Sequence, residues 1–330
     1  MKKYLCILFL CLLFTGCNKV NEEDYVKKFQ TKLSESDTYV LEADMEIYSN
    51  ETSYNYSVVV NYMKGDFYKV SLKNTDTSHE QIILKNEEGV YVITPALNKS
   101  FKFQSEWPYN SSQSYILDVI LKDMQNTENR KFVVDEDTIT LETSVNYPNN
   151  TQLKTQKIIF DKQMNLKNVT VMDSDGKQQI VVNVKKINFD NSIKKEDFSL
   201  ENNVKDVHED NTETTAKLDS VLYPMYIPSG TTFKSEQILN GDKNERAILT
   251  FTGEKPFILV EEVGKVSEEF EINSSPGDLV FYENILGSIT DTSLSWTSNG
   301  IEYYLVGENL TSNELLSIAT STMTVSSVVK

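Results

Sequence analysis

Hydrophobic residues in this chain recur with a period of two far more often than with a helical period. Over residues 39–48, Tyr39, Leu41, Ala43, Met45 and Ile47 alternate with the acids Glu42, Asp44 and Glu46. That pattern predicts a strand buried on one side. Residues 54–63 alternate likewise, and Lys64-Gly65-Asp66 turns the chain into a strand over 67–72. Residues 81–85 and 90–94 read as a hairpin about Asn86-Glu87-Glu88-Gly89, and 99–103 adds a strand after the turn at Pro95. Further strands are predicted over 131–134, 138–143, 156–161, 168–172 and 178–189. Two of the turns between them, at 161–165 and 173–176, are rich in Asp, Asn and Gly, which bond or bend their own backbone. The result is an antiparallel meander of about ten strands, long enough to curl strongly.

Two segments break this rhythm with a helical period. Over 22–33, Val26, Phe29, Gln30 and Leu33 share one face and Lys27, Lys28 and Lys32 lie outside it. Over 112–124, Tyr115, Ile116, Val119 and Ile120 point inward, with Ser112 as the expected cap. Residues 201–220 have no hydrophobic period, are acidic and end in threonines, so they read as a linker. A smaller unit is expected over 221–330. It opens on the Pro-punctuated run Tyr223-Pro224-Met225-Tyr226-Ile227-Pro228-Ser229-Gly230. Strands are predicted over 246–252, 257–263, 278–282, 288–291, 294–297 and 301–306. Ser298-Asn299-Gly300 is the turn between the last two. A helix over 312–323, capped by Thr311 or Ser312 with Glu314 in its first turn, closes the chain.

The first seventeen residues change the picture from fold to address. Met1-Lys2-Lys3 precedes a short apolar stretch, and Leu13-Phe14-Thr15-Gly16-Cys17 follows it. The order of basic start, apolar run, small residue and cysteine is that of a lipoprotein signal. Residues 1–16 are then a signal peptide, Cys17 the lipidated first residue of the mature protein, and 17–21 a tether. An uncleaved anchor is the competing reading, but the apolar run is short of the ~20 residues that span a bilayer. Cys6 and Cys11 leave with the signal. Once Cys17 is acylated, no thiol remains for a disulfide, a zinc site or a nucleophile. The expected location is the outer face of the cell membrane, held there by lipid.

A chain of 330 residues suggests about two domains, and 39% hydrophobic content is enough for real cores. The net charge of −17 argues against nucleic acid and anionic headgroups as ligands, since both need a basic footprint. Only two histidines occur, His79 in a turn and His208 in the acidic linker. Asp173-Ser174-Asp175-Gly176 tempts a calcium reading, but the sixth and twelfth positions of such a loop would be Gln178 and Val184, so a hairpin turn fits better. No phosphate loop, nucleophile elbow or zinc helix motif is present, and no carboxylate pair stands out among 49 acids. No enzyme activity, metal or cofactor is expected.

Tyr48, Tyr54, Tyr56, Tyr62, Phe67 and Tyr68 crowd the first three strands, and Trp107-Pro108-Tyr109 precedes the inserted helix. They read either as core packing of a curved sheet or as an aromatic rim for binding. On the second reading the ligand- or partner-binding candidates are Tyr54, Tyr56, Tyr62, Phe67, Trp107, Tyr109 and Tyr115.

Taken together, residues 22–200 resemble the LolA/RseB superfamily. The resemblance rests on the hairpin Gly89-Val90-Tyr91-Val92-Ile93-Thr94-Pro95 running on to the helix near Tyr115, and on the tail from Phe189 to Phe198-Ser199-Leu200. It implies an α+β fold, a highly curved antiparallel sheet forming a half-barrel with helices in its concave face. Residues 221–323 look like a small domain of unknown function common in Firmicute lipoproteins. There Tyr223-Pro224-x-Tyr226-Ile227-Pro228-x-Gly230 opens the domain, and Leu294-x-Trp296-x-x-x-Gly300-x-x-Tyr303-x-Leu305-x-Gly307 precedes its helix. LolA carriers latch their lid with an arginine in the sheet. This chain has only Arg130 and Arg246, and none on the first two strands. The resemblance therefore implies a tethered binding protein whose concave surface takes an acyl chain, a lipopeptide or an envelope protein, not a carrier of lipoproteins. The alternative it offers is a regulatory partner of the RseB or GerS type, towards an anti-sigma factor or a spore-cortex amidase. An envelope hydrolase is the third reading.

Overall fold

The computed structural model describes residues 22–49, 52–126, 130–189, 191–203, 218, 220–240, 245–267 and 269–326. Cys17, the signal segment, His208 and nearly all of the expected linker lie outside the described residues.

The first half is a helix followed by a meander. Helix α1 (Glu22–Ser34) leads into β1 (Thr38–Ser49), β2 (Thr52–Met63), β3 (Phe67–Asn74), β4 (Glu80–Asn86), β5 (Gly89–Thr94) and β6 (Lys99–Phe103). Helix α2 (Leu117–Gln125) interrupts, and β7 (Lys131–Val134), β8 (Thr138–Ser144), β9 (Leu153–Asp161), β10 (Leu166–Asp173) and β11 (Gln178–Asn188) resume. The turns use the expected chemistry. Asp161 and Asp173 each accept backbone N–H bonds within their loops. Gly65, Asp66 and Gly176 take positive φ where the chain reverses.

Strand β11 returns to pair with β1, so the meander becomes one sheet, β6-β5-β4-β3-β2-β1-β11-β10-β9-β8-β7. Its inner face carries Leu41, Val58, Val70, Ile83, Ile158 and Val169, and against it pack Phe29 of α1 and Ile120 of α2 in one core. This is the helix-lined curved sheet that the resemblance implied. The tail after β11 crosses the outer face, where Phe198 packs among Phe67, Ile82, Leu84, Tyr91 and Ile93.

The second half builds a seven-stranded sheet. Its strands are β12 (Thr231–Asn240), β13 (Glu245–Gly253), β14 (Phe257–Val263), β16 (Asp278–Tyr282), β17 (Ile285–Ile289), β18 (Ser293–Ser298) and β19 (Ile301–Val306), in the order β12-β13-β14-β19-β18-β17-β16. Helix α3 (Ser312–Ser326) buries Leu315, Leu316, Ile318, Ala319 and Met323 on one face of it. Thr311 and Glu314 cap that helix reciprocally, as the sequence predicts. Asn299 and Gly300 both have positive φ, the requirement of a tight primed hairpin turn between β18 and β19.

Three features depart from the sequence reading. Helix α2 begins at Leu117, five residues after the expected cap. Ser112 instead exchanges two hydrogen bonds with Asn146, and the free N–H of Leu117 donates to the Tyr39 hydroxyl. Strand β12 was missed because most of it is exposed on both faces and shows no alternation. The third is β15 (Glu271–Ser274), which leaves the second half and pairs in parallel with β6, making the first sheet twelve-stranded.

Candidate functional site

The inner face of the first sheet is covered in two parts. Towards the end where β1 begins, α1 and α2 fill it. Phe29 meets Phe160 at 5.0 Å. Arg130 ties the two helices together, pairing with Glu22 and Glu23 of α1 and donating to the Met124 carbonyl at the end of α2. Towards the other end the cover comes from the second sheet. Leu279 and Leu286, from the β16–β17 hairpin, are buried in the core of the first sheet, and Phe281 stands edge-on to Tyr56 at 6.2 Å.

Between these two covers lies a cavity of about 280 Å³. Met45, Ile47 and Ile83 form its floor, Trp107, Tyr115 and Tyr147 one wall, and Leu279 and Phe281 the opposite wall. Two polar atoms of its lining, Tyr115 Oη and Asn110 Oδ1, are buried without a hydrogen-bond partner among the described residues. At its rim Ser49 donates to Glu283 at 2.5 Å, and burial raises the Glu283 carboxyl against that bond. Ser111, Gln113, Ser114, Asn150 and Asp278 also line it, so polar and apolar groups share the cavity in similar measure. Small-molecule sites likewise pair apolar surface with convergent polar groups, usually at ~300–1,000 Å³, just above this volume.

Behind the cavity is a cluster of tyrosines. Tyr39 and Tyr62 stack at 4.7 Å, and Tyr68 lies 5.0 Å from Tyr62 and edge-on to Trp107. Tyr68 donates to Tyr109 at 2.7 Å, and Tyr109 donates to Asp66 at 3.0 Å. Asp118, in the first turn of α2, belongs to this neighbourhood, and burial pushes it up to about 6. Burial likewise raises every tyrosine of the cluster, so their hydroxyls stay protonated and act as hydrogen-bonding groups.

The seven aromatic candidates thus divide among four places. Trp107 and Tyr115 line the cavity. Tyr62 and Tyr109 belong to the tyrosine cluster. Tyr54 and Tyr56 border a second cleft at the ends of β2–β5. Phe67 lies on the outer face, 5.6 Å from Phe198. Tyr56, Phe67, Trp107 and Tyr115 are buried, and Tyr54, Tyr62 and Tyr109 are half-buried. The sequence reading missed Asp118, Met45 and the β16–β17 hairpin, whose approach to the first sheet leaves no local pattern. His79, placed in a turn by the sequence, is half-buried at the second cleft, and burial lowers its pKa. Among the described residues no group of three or more His, Cys, Asp or Glu is placed to hold a metal, and no helix is long and apolar enough to cross a membrane.

Fold and site together define an α+β protein, a helix-lined curved antiparallel sheet with a second sheet seated in its open end. The chain belongs to the family of the sporulation protein YdcC of Bacillus subtilis (strain 168), to which it is 34% identical over 321 residues, covering 95% of this chain and 94% of that one. No family model matches it. Among solved structures it is similar to the MucA/MucB complex of Pseudomonas aeruginosa, with 10% identity over 91% of this chain and 97% of that one and a TM-score of 0.32. It is also similar to the complex of the CwlD amidase with the GerS lipoprotein of Clostridioides difficile, with 20% identity over 53% and 96% of the two chains and a TM-score of 0.23.

Proposed function

We propose that this protein is a non-catalytic lipoprotein of the cell envelope that holds one apolar group, carried by a ligand or a partner protein, at the membrane surface during sporulation. The observation that carries the reading is the cavity between Met45, Trp107, Tyr115 and Phe281, where an apolar floor of Met45, Ile47 and Ile83 meets polar neighbours, with unpartnered polar atoms at Tyr115 and Asn110. Its volume suits a single short chain or a pair of side chains, while α1, α2 and the β16–β17 hairpin occupy much of the remaining concave face. The role in sporulation is supported by the family relative. Anchoring is supported by the sequence ending at Cys17, since a diacylated residue gives stable membrane attachment.

A protein partner of the anti-sigma or amidase type is the second reading, favoured by how much of the inner face the protein fills with its own elements. One experiment addresses both. The full chain is purified from sporulating cells in mild detergent and examined by native mass spectrometry, beside Cys17→Ala. Co-purification of a lipid-sized adduct supports the ligand form, and a stoichiometric protein complex supports the partner form. Recovery of the bare chain alone would remove both.

A further inference from the structure

A second cleft, of about 360 Å³, opens where the ends of β2–β5 meet two turns of the second sheet. It arises from a change of character along the inner face. On β2, β3, β4 and β5 the inward positions are apolar through Val58, Leu72, Ile83 and Val92. One step further towards the same end they become Tyr56, Asn74, Gln81 and Thr94. A sheet end exposed to water would turn polar for that reason alone, but this one is roofed by Asn284 and by residues 297–300. Thr94 is 6% exposed, and its Oγ1, like Oδ1 of Asn284, is buried without a hydrogen-bond partner among the described residues. Buried polar atoms left unpaired cost about 1–3 kcal/mol each, so they mark groups awaiting a partner.

The lining defines the chemistry of that partner. Asn74 is already committed, accepting from the N–H groups of Asp76 and Thr77 and bonding the Tyr56 hydroxyl. It holds the wall in place. Gln81, Thr94, Asn284 and Thr297 remain as amides and hydroxyls, which donate as well as accept. No Lys or Arg lines the cleft among the described residues, burial disfavours the charged form of His79, which does line it, and Asp76 and Glu80 stand beside it, which together disfavours phosphates and carboxylates. The strands beneath are paired on both edges, so an extended peptide has no backbone ladder to join. We propose that this cleft binds a neutral saccharide, its ring against Tyr54 and Tyr56 and its hydroxyl or acetamido groups on Thr94, Asn284 and Gln81. This site is independent of the cavity beside Trp107 and Tyr115 and of the reading built on it.

The test is calorimetric titration of the full chain, in a polyoxyethylene detergent that contains no sugar, with chitotriose, maltotriose and a blocked trialanine peptide. Saturable binding of either sugar is expected, weakened about tenfold by Thr94→Val and by Asn284→Ala at unchanged melting temperature. Should Asn284→Ala unfold the turn, Thr94→Val and Gln81→Leu carry the comparison. The proposal is overturned if neither sugar saturates up to about 10 mM. It is equally overturned if the peptide binds and the sugars do not, or if sugar binding is indifferent to all these substitutions.

Discussion

Lys99 on β6 of the first sheet and Glu302 on β19 of the second form a nearly buried ion pair, with the ammonium 3.0 Å from both carboxylate oxygens. With the parallel pairing of β15 on β6, it locks the second sheet over the open end of the first. Removing one member of a buried pair strands the other charge, a loss of about 3–5 kcal/mol. Glu302→Ala should therefore lower stability in urea by that order, whereas the double variant Lys99→Met, Glu302→Leu should recover most of it. Equal losses in single and double variants would mean that the pair does not couple the sheets.

Phe281 forms part of the wall of the first cavity from the second sheet and leans on Tyr56 of the first sheet. Truncation to alanine should cost about 2–3 kcal/mol, less than the ~3–5 kcal/mol of a fully buried aromatic because this ring is only partly buried. It should also widen the cavity and alter capture of the native ligand or partner. Phe67→Ala, on the outer face, is the control. It should cost about 3–4 kcal/mol and leave capture unchanged. Equal effects of the two on capture would place binding outside the cavity.

What the sequence revealed and what it hid follow from how far apart the interacting residues lie. Strands β1–β11 were legible because alternation records which side of each strand is buried, and a residue-by-residue period survives without knowledge of the partner. The hairpin turns were legible through Asp161, Asp173 and Asn299-Gly300, whose chemistry is local. The site was not. Its floor is at Met45 and Ile83 and its far wall at Leu279 and Phe281, and nothing in the apolar run from 279 to 282 says which sheet it will cover. The start of α2 was misread for a related reason. Ser112 has the chemistry of a cap, but Asn146 claimed it and the Tyr39 hydroxyl, 78 residues upstream of Leu117, took over at the helix N-terminus.

Arg130 is the fastener of the helical cover. Its guanidinium meets both Glu22 and Glu23 and the last turn of α2. Arg130→Gln should leave the sheet intact but loosen the first turns of α1. Amide hydrogen exchange should rise over residues 22–28 and stay unchanged in β1 and β2. Protection of α1 that is indifferent to the substitution would show that Val26, Phe29 and Leu33 hold the helix unaided.

Glu261 should make stability depend on pH. It lies on the face of the second sheet that α3 covers and is fully buried, with both oxygens 3.1 Å from the Leu222 N–H. Burial pushes its pKa up to about 7, against the bond from Leu222 and with help from Glu236. Asp118 and Asp123 are raised to about 6, also by burial. A carboxyl whose folded pKa exceeds its unfolded value keeps its proton longer in the native state, so the folded chain binds more protons between the two values. Stability should therefore fall as pH rises from about 4 to 7, by on the order of 2–3 kcal/mol from Glu261 alone. The lowered carboxyls Asp161, Asp173 and Glu314 act in the opposite sense, but only below that window. Urea melts at pH 5, 6, 7 and 8 should show the decline, and Glu261→Gln, which keeps an acceptor for Leu222, should flatten it and stabilise the protein above pH 7. A slope that survives Glu261→Gln together with Asp118→Asn and Asp123→Asn would assign the pH dependence to other groups.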